Sequence, residues 1–243
     1  LAENAAVWLQ EELTRLHDLS LSPIGKGDLV YRTNPTLDEA EYQLTVGSTG
    51  ILLEAGSASG FVHASATLLQ LVQTQPDCTR VPYVKIKDTP RFRYRGMMLD
   101  CARHFAPTQR VKRLINQLAH YKFNTFHWHL TDDEGWRIEI PSLPELTEVG
   151  AYRCHDLTEQ TCLLPQLGSG PDKNSEVNGY YTFADYLEIL RYAKERHIQV
   201  IPSMDMPGHS RAAIKSMAAR YNKFISLGKK SAAKQYLLHD VED

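Results

Sequence analysis

The chain has 243 residues, 42% of them hydrophobic and 23% charged, with a formal net charge of -2. That supplies apolar material for a sizeable core in one or two domains, and so balanced a charge argues against a nucleic-acid-binding protein. No apolar run reaches the length of a transmembrane segment, and the chain starts at Leu1 without Met and without a signal peptide, so removal of an upstream segment is expected.

In chain order, residues 5–19 place Trp8, Leu9, Leu13 and Leu16 on one side of an amphipathic helix. A short strand is expected over 29–32, and a loop at Pro35 and Asp38. Residues 42–46 alternate, 47–50 turn and 51–55 are apolar again, which is a hairpin pattern. A helix over 61–72 and a strand over 81–86 complete a small α+β domain, residues 1–88. Asp88-Thr89-Pro90 marks the boundary to a second domain, 89–243. There a strand is predicted over 95–99. A helix over 111–121 follows, with Val111, Leu114, Ile115, Leu118 and Ala119 on one face. Next come a strand over 125–130 and a short alternating stretch over 136–140. Residues 141–179 hold several prolines and glycines, little periodicity, and more length than a βα connection needs; long ordered loops are often functional. A helix over 182–196 turns Tyr186, Leu187, Leu190 and Ala193 inward, with Thr182 and Asp185 as its capping pair. A strand over 199–204 and helices over 210–221 and 232–238 close the pattern.

The fold class is therefore α/β: a small α+β domain followed by three βα units. Eight strands and usually about 250 residues make a (β/α)8 barrel, and only about 155 residues follow Pro90. An incomplete barrel, as a fragment of a longer protein, or a smaller open sheet is expected. Either leaves an unpaired sheet edge, which favours self-association, low stability or disorder after about Phe224.

The ionisable residues cluster where the strands end, the side on which βα folds build active sites. Asp100 and Arg103 follow the strand over 95–99. Arg103 is suited to clamping ligand hydroxyls with its planar fork or to pairing with Asp100. Asp132 and Asp133 follow the strand over 125–130, and being adjacent they project differently. One is expected to face a site and the other to cap a loop or meet a cation. Asp205-Met206-Pro207-Gly208-His209 follows the strand over 199–204, with His209 placed to orient a carboxyl group or move a proton. His127 and His129 share one strand face and Trp128 the other, so the two histidines read as buried supports for their strand. His104 has no clear role. Of the four cysteines, Cys154 and Cys162 are near enough to close a short disulfide loop if the protein is exported, or to be two free thiols; Cys78 and Cys101 lie far apart. No CxxC pair suggests zinc.

Three segments resemble one family. Residues 95–105 (RGMMLDCARHF), 127–137 (HWHLTDDEGWR) and 205–209 (DMPGH) are similar to the first three barrel strands of glycoside hydrolase family 20, the β-N-acetylhexosaminidases. Residues 1–88 look like the small domain that precedes that barrel. The stretch from Arg153-Cys154-His155-Asp156 to Cys162-Leu163-Leu164-Pro165 looks most like bacterial chitobiases, which favours the Cys154–Cys162 disulfide. The resemblance implies exo-hydrolysis of terminal N-acetylglucosamine from chitobiose or chito-oligosaccharides, without a cofactor or a metal, by a retaining mechanism in which the substrate's acetamido oxygen attacks the anomeric carbon. It implies that Arg103 binds sugar hydroxyls, that Asp132 and His209 form a relay to an acid/base Glu, and that Asp205 steadies the third strand end. Asp100, His129 and Asp133 take supporting places. It also implies a periplasmic or secreted location, with outer-membrane association of the parent protein as an option. The family's Gly-Gly-Asp-Glu segment, which carries the acid/base Glu, occurs nowhere in the 243 residues, so the chain alone is expected to be inactive. Two other readings are a non-catalytic carbohydrate-binding or structural module, and metal-dependent hydrolysis by His127, His129 and Asp132.

Overall fold

The structure, a computed structural model, describes residues 1–21, 28–74 and 81–237; Cys78 and the last residue of the helix expected over 232–238, Leu238, lie outside them. Two compact units emerge, and neither is one continuous segment. The first comprises residues 1–97, 113–125 and 191–199, and the second residues 98–112, 126–190 and 200–243.

The first unit contains α1 (Glu3–His17), β1 (Leu29–Thr33), β2 (Tyr42–Gly47), β3 (Gly50–Ala55), α2 (Ala58–Gln73) and β4 (Val84–Asp88). The four strands form one sheet in the order β1-β3-β2-β4. β2 and β3 are the expected hairpin, closed by Gly47 opposite Gly50, and β1 joins β3 in parallel. Gly50 has φ +121, and a Cβ there would meet the Asp28 carbonyl, so glycine is required at this turn. Alternation along β2 buries Tyr42, Leu44 and Val46, and α2 buries Phe61, Val62, Leu68 and Leu69. The sequence pattern started α2 late: Ser57 caps it by accepting from the Gly60 N–H. On α1, Trp8, Leu9 and Leu13 are buried, but Leu16 is exposed; the helix ends one residue later, at His17, where Asp18 turns left-handed.

A polar network lies inside this unit. The Trp8 indole N–H donates to Asn116 Oδ1 at 2.8 Å, and Asn116 donates to Glu12 at 2.9 Å. His120 Nε2 lies 2.6 Å from the same carboxylate. Burial alone would raise the Glu12 pKa, but hydrogen bonds from His120, Arg15 and Asn116 lower it from 4.5 to about 2. A carboxylate more acidic in the folded chain than in the unfolded one contributes stability above its unfolded pKa and loses it as pH falls through the folded value. Glu12→Gln should therefore cost stability near neutral pH, and about 2 kcal/mol of that cost should be gone by about pH 3, at about 1.36 kcal/mol per pKa unit. Urea unfolding of both proteins at the two pH values checks this, and a difference that stays constant with pH would disprove it.

The remaining elements are β5 (Gly96–Asp100), α3 (Thr108–His120), β6 (Thr125–Asp132), β7 (Gly135–Trp136), α4 (Glu145–Glu148), α5 (Phe183–Glu195), β8 (Gln199–Met204), α6 (Arg211–Ser226) and α7 (Lys230–Ala233). β6 is central to their sheet and pairs with β5, β7 and β8. Strand, helix, strand recurs through β5, α3, β6, α5 and β8, so the second fold is a partial, unclosed β/α barrel. β7 is antiparallel to β6 and only two residues long, shorter than the alternation over 136–140 suggested; Ile138 instead bridges to Tyr181. α5 begins with the expected box, Thr182 N–H to Asp185 and Asp185 N–H to Thr182 Oγ1. Its fully buried residues are Ile189 and Ala193, while Tyr186, Leu187 and Leu190 are half-buried, as is Leu114 on α3. Trp128 packs edge-on against Tyr181 and stacks on Tyr186. α6 continues to Ser226 and α7 follows, with Phe224 stacked on Tyr236. Met97 and Met98 on β5 and Ile201 and Met204 on β8 are exposed, as strands of an unclosed sheet are.

Candidate active site

The second unit brings together the polar ends of β5, β6 and β8. Asp132, the last residue of β6, is almost fully buried. Its Oδ2 forms an ion pair with Arg103 Nη2 at 2.8 Å and accepts from His129 Nε2 at 2.9 Å. Its Oδ1 accepts from the Asp133 N–H at 2.7 Å and from His209 Nδ1 at 3.1 Å. Burial alone would raise the Asp132 pKa. The His129 and Asp133 hydrogen bonds, the Arg103 charge and the His209 contact outweigh it and hold the carboxyl below its ordinary value.

Arg103 meets three carboxylates: Asp100 through Nη1 at 2.7 Å, Asp132 through Nη2 at 2.8 Å and Glu134 through Nε at 3.1 Å. The Asp100 pair expected from spacing is therefore only one arm of the contact. A guanidinium has five N–H groups, so two remain for a ligand, and the side chain is one-third exposed. Its backbone is held too, because Arg153 donates to the Arg103 carbonyl at 2.6 Å.

His209 leads into α6, has a left-handed φ of +52 and keeps 60% of its side chain exposed. With Nδ1 on Asp132, Nε2 is the nitrogen left to act. Asp133 accepts the first N–H of α6, from Arg211, at 3.0 Å, so of the two adjacent aspartates it is Asp133 that caps and Asp132 that faces the cluster. Ser203 Oγ lies 2.7 Å from His127 Nε2 and 2.9 Å from His129 Nδ1. His129 must donate from Nε2 because a carboxylate only accepts; in its neutral form its Nδ1 then accepts from Ser203, whose oxygen is free to accept from His127. His104 is exposed.

His127 thus aims at Ser203 and not at Asp132, so the His127, His129 and Asp132 set is not assembled as a metal site. Among the described residues, the groups close enough to share an ion are His129, Asp132 and Asp205, and Asp132, Asp133 and His209. Both rely on Asp132, whose oxygens already take three hydrogen bonds and an ion pair with Arg103.

In the second unit, the buried Arg137 and Arg153 had no signal in the sequence, where an arginine beside a strand reads as surface. Arg137 is fully buried and donates to the carbonyls of Cys101, Ala102, Ala151 and Gly179 at 2.7–3.2 Å. Burial, and then the charge of Arg153, lowers its pKa to about 10. A Cβ on Gly135 would lie 2.5 Å from that guanidinium, so this glycine leaves room for it. Glu134, the last residue of the Asp132-Asp133-Glu134 run, takes a site role that its sequence position does not indicate, by accepting from Arg103 Nε. The Cys154–Cys162 disulfide is present, and Cys101 is a free, buried thiol.

The profile of "Glycosyl hydrolase family 20, catalytic domain" matches residues 92–241, and that of "Glycosyl hydrolase family 20, domain 2" matches residues 1–89. The chain belongs to glycosyl hydrolase family 20. It is 61% identical over 216 residues to a β-hexosaminidase of Vibrio furnissii, covering 89% of this chain and 34% of that protein. It is 50% identical over 202 residues to an N,N'-diacetylchitobiase of Vibrio harveyi, covering 83% of this chain and 23% of that protein. Among solved structures, a family 20 exo-β-N-acetylglucosaminidase of Vibrio harveyi in complex with N-acetylglucosamine superposes with a TM-score of 0.82 at 52% identity, covering 89% of this chain and 33% of that one. The chain thus spans about a third or less of the length of these family 20 proteins.

Proposed function

We propose that the chain carries the first three βα units of an exo-β-N-acetylhexosaminidase that removes terminal N-acetylglucosamine from chitobiose and chito-oligosaccharides. The domain boundary falls near residue 88. The observation that carries this reading is one buried carboxylate, Asp132, receiving Arg103 and His209 from the ends of two other strands. The two uncommitted N–H groups of Arg103 bind hydroxyls of the terminal sugar. Asp132 keeps the proton of His209 on Nδ1, so Nε2 can hydrogen-bond to the acid/base Glu that the family draws from a later strand. Chemistry is substrate-assisted and retaining: the acetamido oxygen attacks the anomeric carbon, the Glu protonates the leaving oxygen, and water later opens the oxazolinium. The 243-residue chain, lacking Gly-Gly-Asp-Glu, forms part of this site and does not turn over. Asp205, close to His129 and Asp132, steadies the end of β8. The disulfide supports a periplasmic or secreted protein; no described helix is long and apolar enough to cross a membrane. The exposed methionines of β5 and β8 favour association of the chain on its own.

The test compares the purified chain with an extended polypeptide, in which it is followed by the residues that succeed the matched segment in the Vibrio furnissii relative. Release of p-nitrophenol from the N-acetylglucosaminide should be absent from the first and clear in the second. Turnover by the chain alone would refute its inactivity. Chitobiose binding without turnover by the extended polypeptide would favour a binding module, and loss of turnover with chelator a metal enzyme. Sedimentation of the chain at two concentrations reads its association.

A further inference from the structure

His209 meets Asp132 at 3.1 Å and Asp133 at 3.8 Å through Nδ1 alone. Most of its side chain is exposed, and its backbone is in the left-handed region that non-glycine residues seldom adopt. Ser210 closes the turn with a hydrogen bond to the Pro207 carbonyl at 2.7 Å. The other restraints act at the next residue, Arg211. Its N–H is held by Asp133, and its guanidinium by Glu159. Glu159 belongs to the disulfide loop between Cys154 and Cys162 and is itself almost fully buried. Its Oε1 also accepts the Leu164 N–H at 3.0 Å, and its Oε2 meets Lys215 at 3.1 Å, one turn further along α6. Burial alone would raise its pKa, but Leu164, Lys215 and Arg211 keep it below the ordinary value.

We infer that Glu159 is a positioning residue for His209: the disulfide loop presents one buried carboxylate that fixes the start of α6, and with it the reach of the imidazole to Asp132. The loop so acquires a role in the proposed hydrolysis, and the inference rests on that reading only for its kinetic consequence. A control lies on the same helix. Glu145 is buried in the same way and clamps Arg220 and Lys223; the nearer of these, Arg220, lies about 13 Å beyond Arg211 along the axis at about 1.5 Å per residue.

The test uses Glu159→Ala, the isosteric Glu159→Gln, the shorter acid Glu159→Asp, and Glu145→Gln as control. In the 243-residue chain, nitrogen NMR of His209 reads whether Nδ1 stays hydrogen-bonded. The signal should move to that of a free imidazole in Glu159→Ala, move part of the way in Glu159→Gln, and stay in Glu145→Gln. In the extended polypeptide, kcat should fall about tenfold in Glu159→Ala with KM within about twofold, and Glu159→Asp should recover part of it. If Glu159→Ala does not fold, Glu159→Gln decides. An unmoved His209 signal in folded Glu159→Ala or Glu159→Gln, or an equal movement in Glu145→Gln, would overturn the inference. A wild-type extended polypeptide without turnover would instead refute the hydrolase reading, and the NMR result would still stand.

Discussion

Asp132→Asn in the extended polypeptide should lower kcat by about 100- to 1000-fold, the scale of losing a positioned acid–base relay. The change is nearly isosteric, so the cause is hydrogen-bond polarity. All four groups around the carboxylate are donors: Arg103 and His129 on one oxygen, the Asp133 N–H and His209 on the other. An amide offers one acceptor and one donor side. If its nitrogen faces Arg103 and His129, two donors oppose it and the arginine loses an anchor. If it faces His209, the imidazole must accept at Nδ1 and carry its proton on Nε2, the wrong tautomer for accepting one there. Arg103 keeps Asp100 and Glu134 in either case, so the fold should survive and the loss should appear in kcat more than in KM. Steady-state kinetics with the p-nitrophenyl substrate decides it; a variant within twofold of the parent would remove Asp132 from the mechanism.

Arg137→Met should cost about 3–5 kcal/mol, the range found when a buried charged hub loses its partners. The reason lies less in the charge than in the acceptors. Without the guanidinium, the carbonyls of Cys101, Ala102, Ala151 and Gly179 face apolar atoms, and each buried unpaired group costs about 1–3 kcal/mol before relaxation. Arg137→Lys should recover little, because one ammonium cannot reproduce a fork that reaches carbonyls on separate segments. Ala102 precedes Arg103, so the damage should extend to the cluster. At about 2–4 °C per kcal/mol for a chain of this length, thermal unfolding should shift down by about 10 °C. Arg191→Met, on an exposed position of α5, is the control, and should stay within about 0.5 kcal/mol of the parent. Equal melting of Arg137→Met and the parent would show that water satisfies those carbonyls.

In the second unit, Arg137, Arg153, Glu145 and Glu159, all buried, share a purpose. Arg137 and Arg153 donate to carbonyls flanking β5 and within the long segment after β7. Glu145 and Glu159 fasten that segment to α6. A stretch with one four-residue helix thus gains order from charged groups placed where apolar periodicity is absent.

What the sequence determined by itself follows from patterns that act over a few residues. Alternation in β2, the helical face of α3, the Thr182–Asp185 box and the polar residues that end each strand are local, because backbone geometry dictates which side chains share a face. The family motifs are legible for the same reason, being contiguous. Tertiary structure alone decided which of Asp132 and Asp133 faces the cluster, which carboxylates surround Arg103, and that Arg137, Arg153, Glu145 and Glu159 are buried. Each of those outcomes depends on a partner many residues away, as Glu159 does on Arg211 and Arg137 on Gly179. Burial of a charge is favourable only once that partner arrives, and no short stretch of sequence records the arrival.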